Sequence, residues 1–400
     1  MKWPSAKLAE VCTKIGSGAT PRGGDESYKS SGIALVRSMN VHQARFKHEG
    51  LAFIDAEQAT LLDNVTLQDL DVLINITGAS VARCCLLDKS VLPARVNQHV
   101  CILRSAQDKV IPAYLMRFLT SRDSQRELNK IAESGATRQA ITKGELSDFE
   151  IPLPPLAEQK RIAGILDAAD ALRAKRREAL AQLDTLLHAT FLDLFGDPVT
   201  NPKGWEVRTL EESGAKTKVG PFGSLLHTYD YIVGGVPLVN PKHMVDGKIV
   251  HLGDETVSEE KASELQDYRL KIGDLLVARR GEMGRCVIVH EEHSGWLCGT
   301  GSFYIRTNPK VMLTEFLAAC ISSQPMRKFL EHLSGGAIMP SLSGTQIKNL
   351  MITIPPVEVQ SRFVRASQAI AEQQKQQSKH LAELDTLFAS LQSRAFRGEL

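Results

Sequence analysis

Between residues 157 and 195, apolar side chains recur at Ile162, Leu166, Ala169, Leu180, Leu183, Leu187 and Leu194, in steps of three and four wherever the stripe is unbroken. That spacing keeps one face of an α-helix apolar. The segment holds no proline and a single glycine, Gly164; as one helix it spans about 58 Å at 1.5 Å per residue. A second stripe, Phe363, Ile370, Leu381, Leu384, Phe388 and Leu391, runs through residues 358–396. Polar residues interrupt both stripes at matching places, Arg173 and Arg176 in one and Gln374 and Gln377 in the other. Polar groups at one level of two helices set register. The pattern is met by two helices packed on each other, with an antiparallel pairing among the options, or by each helix packed on its own domain.

Upstream of each stripe the period shortens. Ile33-Ala-Leu-Val36, Val72-Leu-Ile74 and Val100-Cys-Ile-Leu103 read as buried strands. Gly16-Ser-Gly-Ala-Thr-Pro-Arg-Gly-Gly24 reads as a loop, and Ile111 to Ala132 returns to a helical period. Pro152, Pro154 and Pro155 then close the domain and set the helix entry.

The whole pattern occurs twice, with a period of roughly 200 residues, too long for a solenoid and suited to a duplicated domain-plus-helix unit. Ile151-Pro-Leu-Pro-Pro155 returns as Ile352-Thr-Ile-Pro-Pro356, and Leu183-Asp-Thr-Leu186 as Leu384-Asp-Thr-Leu387. Trp3 aligns with Trp205, Asp71-Val-Leu-Ile74 with Asp274-Leu-Leu-Val277, Gly78 with Gly281, and Arg104 with Arg306. The agreement is mostly apolar and glycine positions, so the backbone is shared. The differences are mostly polar: Arg22, Arg37 and His42 have no plain counterparts. The expected boundaries are 1–153 for a first domain, 154–196 for its helix, 197–204 for a linker, 205–354 for a second domain and 355–400 for its helix.

Composition narrows the class. Four hundred residues exceed one hydrophobic core. No apolar run approaches the ~20 residues that cross a bilayer. Seven cysteines, without regular spacing, fit a reducing cytoplasm rather than a disulfide framework. A net charge of +2 leaves nucleic-acid binding to local patches.

Catalytic signatures are missing. There is no phosphate-binding Gly-x-x-x-x-Gly-Lys loop, and Gly16-Ser-Gly18 and Gly299-Thr-Gly301 are fragments of a dinucleotide fingerprint. Asn201-Pro-Lys203 and Asn240-Pro-Lys242 lack the second proline and aromatic of an adenine methyltransferase motif. His290-Glu-Glu-His293 is one residue short of a zinc helix motif and reads as a solvated turn. Cys84-Cys85 are adjacent and read as half-buried in a strand. No catalytic residue, metal or cofactor is assigned.

What remains is a set of polar loops that mix Arg or Lys with Ser, Thr, Asn and Gln, the chemistry of phosphate and base-edge contacts. In the first copy they offer Thr20, Arg22, Arg37, Asn40, Ser80, Asn97, Gln98, Thr137, Arg138 and Gln139. In the second they offer Asn240, Lys242, His243, Arg279, Arg280, Met339 and Ser341.

Taken in order, these motifs resemble the specificity subunit of type I restriction–modification systems. The resemblance covers essentially the whole chain and rests on Ile151-Pro-Leu-Pro-Pro-Leu-Ala-Glu-Gln-Lys-Arg-Ile162, Gly32-Ile-Ala-Leu-Val-Arg37, Gly273-Asp-Leu-Leu-Val-Ala-Arg279 and Ala395-Phe-Arg-Gly-Glu-Leu400. The second helix entry, Pro355-Pro-Val-Glu-Val-Gln-Ser-Arg-Phe363, departs from the usual Glu-Gln-Lys-Arg form. The resemblance implies an α/β chain with two similar mixed α/β target-recognition domains, each followed by a long helix. The two helices would pack as an antiparallel coiled coil with pseudo-twofold symmetry. Each domain would read half of a bipartite double-stranded DNA target. The helices would set the spacing and dock two modification subunits, which bind S-adenosylmethionine and methylate adenine; ATP-dependent restriction subunits would join them. Glu158, Gln159, Arg161, Gln360 and Arg362 are the expected partner contacts. The chain itself would be a non-catalytic, cytoplasmic recognition subunit with no membrane contact. The alternative is a coiled-coil scaffold that binds protein partners without reading DNA.

Overall fold

A computed structural model describes residues 3–21, 23–133, 139–251, 253–335 and 341–400. The chain divides into two compact units, residues 1–179 with 377–400, and residues 180–376. Both long helices form, as Leu156–Phe195 and Val357–Arg397, and the division falls inside each of them.

In the first unit a four-stranded antiparallel sheet runs in the order Cys12–Ser17, Val100–Ser105, Val72–Asn75, Cys84–Leu86. Ile33–Val36 lies between Ala52–Ile54 and Ala94–Val96, antiparallel to the first and parallel to the second. Two apolar clusters flank this framework, one of which includes Tyr114, Leu115, Ile162 and Leu166. The second unit repeats the arrangement with Lys216–Val219, Ser302–Arg306, Leu275–Ala278 and Cys286–Ile288. Its Val236–Val239 likewise has an antiparallel neighbour, Thr256–Val257, and a parallel one, Leu297–Cys298. The expected strands therefore form.

Some local expectations change. The helical stretch from Ile111 to Ala132 is two helices, Pro112–Leu119 and Arg122–Glu133, because Ser121 turns its hydroxyl back to the amide of Ser124 and starts a new turn. Gly16 and Ser17 belong to a strand and not to the glycine-rich loop. Cys84 and Cys85 are fully buried, and burial pushes the Cys85 thiol up to about 12. His290–His293 is a short turn, yet His293 is 9% exposed and packs on Trp296.

Two duplicated polar interactions hold the framework. Asp71 and Asp274 are completely buried, and each takes a bidentate bond from the arginine directly opposite it, one position beyond the paired strands. Arg104 reaches Asp71 at 2.8 Å through both nitrogens, and Arg306 reaches Asp274 at 2.7 Å through both. The same carboxylates accept from the amides of Gln68 and Lys271, each at 2.8 Å. The second is a glutamine in the first turn of each long helix. Gln159 is fully buried, accepts from the Ile111 amide at 2.9 Å and donates to the carbonyls of Lys109 and Pro154. Gln360 does the same with the Leu313 amide and the carbonyls of Val311 and Pro355.

The helices run antiparallel to each other within each unit. In the first, Arg173 donates to Asp385 at 2.6 Å and lies 4.3 Å from the Phe388 ring, while Arg176 bonds Gln377. In the second, Gln374 donates to Asp184 at 2.6 Å, and Phe191 and Phe195 meet Phe363 edge-on at 5.6 and 5.5 Å. Numbers rise along one helix as they fall along its partner. The matched interruptions meet as Arg176 with Gln377, whereas Arg173 and Gln374 each pair with a carboxylate. The seam is half-buried, since the Arg173 and Asp385 side chains are 19% and 43% exposed.

Removing one member of a buried ion pair strands the other charge. Arg104→Met and Arg306→Met are therefore expected to destabilise their units by about 3–5 kcal/mol each. The double variant Asp274→Asn with Arg306→Met should lose less than Arg306→Met alone. Denaturant unfolding of the full-length variants checks both statements.

Candidate nucleic-acid interface

The polar loops gather at one end of each four-stranded sheet, where Cys12–Ser17 and Val72–Asn75 end and Val100–Ser105 begins. There the first unit builds an ordered chain of side chains. The Thr20 hydroxyl donates to the Gln98 carbonyl oxygen. The Gln98 amide meets His99 Nε2 at 3.2 Å, and His99 Nδ1 meets the Thr77 hydroxyl at 2.5 Å. An amide donating to Nε2 leaves the ring proton on Nδ1, directed at Thr77. Beneath this chain, buried Asn75 donates to the Ser38 carbonyl at 2.9 Å and to the Ser80 hydroxyl at 3.1 Å. Gln139 is exposed, and its carbonyl accepts from the Gly78 amide at 3.0 Å. Arg37 donates to the Gly50 carbonyl at 2.7 Å and lies 4.9 Å from the Tyr28 ring.

Strand register makes the second unit comparable position by position. Ser17 pairs with Cys101 as Val219 pairs with Phe303, so Thr20 corresponds to Phe222, Gln98 to Thr300 and His99 to Gly301. Gly18 and Gly220 are obligatory close approaches. A Cβ would sit 1.7 Å from the Val96 carbonyl oxygen in one and 1.9 Å from that of Gly299 in the other. Thr77 bridges Ala140 as Arg280 bridges Ser341, so Arg279 and Arg280 stand where the first unit has Ile76 and Thr77. Arg279 donates to the Ser341 hydroxyl at 3.2 Å, with its guanidinium 6.0 Å from the Phe222 ring. Burial, and then the neighbouring Arg280 charge, hold the Arg279 guanidinium below its ordinary value. Arg280 is exposed.

Several expected contacts prove to be internal. Asn40 is fully buried; its oxygen accepts from the Arg37 amide at 3.0 Å and its nitrogen donates to the Lys47 and Glu49 carbonyls. His243 occupies the same position, accepting from the Asn240 amide through Nδ1 at 3.1 Å. Asn97 is 4% exposed and accepts from the His99 amide at 3.1 Å. Asn240 makes the matching bond to the Gly301 amide at 2.9 Å, from the facing strand. The two solutions exclude each other: a Cβ on Gly299, which corresponds to Asn97, would lie 2.3 Å from Asn240 Oδ1. Lys242 is exposed but is bonded to Asp254 and lies 2.9 Å from Glu255, so its charge is offset. Gln159 and Gln360 spend their amides inside the fold and are corrected from partner contacts to helix anchors, because full burial leaves them nothing to offer a partner. Glu158 and Arg161 pair at 2.7 Å, and Arg161 also donates to the Leu400 carbonyl at 2.8 Å; Arg362 is exposed. Arg22, Thr137, Arg138 and Met339 lie outside the described residues.

His243, His251 and Asp254 bring ligand atoms within 4.8 Å of one another. Cation binding is disfavoured by their hydrogen bonds. Backbone amides donate to Nδ1 of both rings, which leaves each Nε2 protonated, and His251 Nε2 is already 3.1 Å from the Glu255 carbonyl. Sequence reasoning overlooked Phe222, Asn75 and the roles of Thr77 and His99. The alignment of Thr20 with Phe222, next to the paired glycines, was the available signal for the first.

A duplicated α/β unit with one conserved framework and two dissimilar loop faces defines a two-site recognition protein. Residues 1–182 and 202–390 match the family described as type I restriction modification DNA specificity domain, and the chain belongs to that family. The EcoKI specificity subunit of Escherichia coli K12 is 24% identical over 426 aligned positions, covering all of this chain and 89% of that one. The EcoBI specificity subunit of Escherichia coli is 26% identical over 337 residues, covering 77% of this chain and 70% of that one. Among solved structures, a chain from a study of complex assembly and conformational transition in the type I R-M system superposes with a TM-score of 0.62 at 18% identity, over 100% of this chain and 98% of that one. The type I S subunit from M. genitalium gives 0.59 at 15% identity, over 99% and 96%. These structural likenesses carry the fold.

The Asn40 and His243 equivalence has a pH consequence. Burial, reinforced by His251, holds His243 below the ordinary histidine value of 6.5 against the pull of Glu255 and Asp254. The unfolded chain therefore binds the extra proton first. The stability that depends on neutral His243 is present above about pH 6.5 and lost as pH falls through the depressed folded value. His293, also held low by burial, acts in the same sense. His243→Asn, which restores the first unit's residue, should flatten part of this acid sensitivity in thermal unfolding scans between pH 5 and 8.

Proposed function

We propose that this chain confers DNA sequence specificity on a type I restriction–modification assembly, each unit reading one half of a bipartite duplex target. The observation that carries this reading is the exchange of surface chemistry on a constant backbone. Thr20, Gln98, His99 and Thr77 in one unit stand where Phe222, Thr300, Gly301 and Arg280 stand in the other. Two such faces suit two unrelated half-sites. Base edges are read by the hydroxyl, amide and guanidinium groups these loops present, and phosphates position the protein. The modest net charge of +2 fits a subunit whose partners complete the DNA enclosure.

In this reading the long helices do two tasks. They hold the half-sites at a set spacing, and they dock two methyltransferase subunits, with ATP-dependent restriction subunits joining the complex. Leu172, Leu186 and Leu387, each at least half exposed on the helices, support a partner surface. Arg362 near the second helix entry is exposed to it, as is Arg161 near the first, though Arg161 is paired with Glu158. The chain contributes recognition and not catalysis, and acts in the cytoplasm; among the described residues no helix is long and apolar enough to cross a membrane.

The test is a genome-wide N6-methyladenine map with the gene intact and deleted. Loss of one split motif, two short half-sites around a fixed gap, is the expected result; an unchanged map from an assembled, active complex refutes DNA readout and leaves the scaffold alternative. The ruler role has its own check. Inserting four residues at matched levels of both helices adds about 6 Å, so the gap should lengthen by about two base pairs at 3.4 Å each. A gap that does not move rules out the helices as the spacer.

A further inference from the structure

In the second unit, residues 222–233 expose an unusual amount of apolar surface: Phe222 is 60% exposed, Tyr229 79% and Val233 91%. The corresponding loop of the first unit is polar, with Thr20 at the position of Phe222. Phe222 is nevertheless held in place. The preceding Pro221 carbonyl accepts from the Thr300 hydroxyl at 2.7 Å, and the Gly220 amide donates to the Ser302 carbonyl at 3.0 Å. Arg279 lies against the ring and is itself fixed by Ser341. Beside it the exposed Arg280 guanidinium forms no ion pair among the described residues, whereas Lys242 is offset by Asp254 and Glu255. Phe222 is thus a fixed, solvent-exposed aromatic, and the residue after its neighbour Arg279 is an exposed cation with no ion pair among the described residues. A nucleic acid supplies both halves, an apolar base face for the ring and a phosphate for the cation.

We propose that the second unit reads its half-site through Phe222, packed against a base, with Arg280 on the adjacent phosphate and Arg279 holding the ring in position. The first unit reads through the hydrogen-bonded chain from Thr20 to Thr77 at the same place on the fold. The two half-sites are thus recognised by different physics, apolar contact on one side and hydrogen bonding on the other. The proposal rests on the DNA-recognition reading above and specifies the residues that carry it in one half.

The experiment uses the full chain assembled with its methyltransferase subunits and a duplex bearing the mapped split motif, together with duplexes carrying single-base changes in either half. Phe222→Ala is expected to weaken binding roughly ten-fold or more, the range of a lost base–aromatic contact. Its loss of discrimination should be confined to positions in one half-site, with the salt dependence unchanged. Phe222→Trp should retain affinity. Arg280→Gln should reduce the slope of log K against log salt by about 0.9, the value of one phosphate contact. Wild-type binding and discrimination by Phe222→Ala overturns the proposal while leaving DNA recognition intact. So does a loss spread over both halves, or an equal loss in Phe222→Trp, since either marks a structural effect. A wild-type complex that recognises no split motif overturns the recognition reading and this proposal together.

Discussion

One buried carboxamide, used twice, ties each domain's loops to the start of its long helix and so joins reading to spacing. Gln159 and Gln360 sit in the first turn of the long helices and bind the loop that leads into a preceding pair of helices, Pro112–Leu119 and Arg122–Glu133 in the first unit and Thr314–Ser322 and Gln324–Ser334 in the second. A buried amide must satisfy its donors and acceptor, and each bond lost costs about 1–3 kcal/mol. The three backbone groups gathered by each glutamine are therefore held to the helix axis with little freedom. A long helix attached to its domain only by a flexible linker would transmit no distance. Attached through this clamp, it becomes part of the domain's framework.

The buried carboxylates Asp71 and Asp274 play the corresponding part inside the sheets. A stranded charge in low dielectric is costly, so each carboxylate is specified by its arginine and by a backbone amide. With these sites constant, the loop end of the sheet is free to vary. The Asn97 and Asn240 exchange shows how: one backbone amide is capped by a carboxamide from either of two facing strands, and the vacated position becomes glycine. The framework's need for a cap persists, while the residue that supplies it moves. Asn40 and His243 repeat the lesson with two different side chains performing one capping bond.

The helix seam is organised differently. It is only partly buried, and its polar residues meet across the helices as Arg173 with Asp385, Arg176 with Gln377, and Gln374 with Asp184. Partly exposed polar pairs of this kind contribute little stability. Their value lies in register, because a slip by one turn would leave a guanidinium facing the apolar stripe. Aromatic clusters close the seam in each unit: Phe396 against Tyr114 and Phe118 in the first, and Phe195 against Phe316 and Phe363 in the second.

What the sequence alone determined was everything periodic or repeated. The duplication, the two helices, the strands at Ile33, Val72 and Val100, and the alignment of Asp71 with Asp274 and Arg104 with Arg306 are all visible there, since hydrophobic spacing and repetition are one-dimensional signals. The family was legible for the same reason. The composition of the candidate face was not. Arg, Asn and Gln in a glycine-rich loop look alike on paper whether they point to solvent or cap a backbone amide. Only the fold turned Asn40, His243, Gln159 and Gln360 inward, joined Thr20 to Thr77 through Gln98 and His99, and placed Phe222 where Thr20 stands. It also decided that each compact unit takes half of each long helix. Those outcomes depend on groups that meet across tens or hundreds of residues, and burial, which decides between a contact and a cap, exists only once the chain has folded.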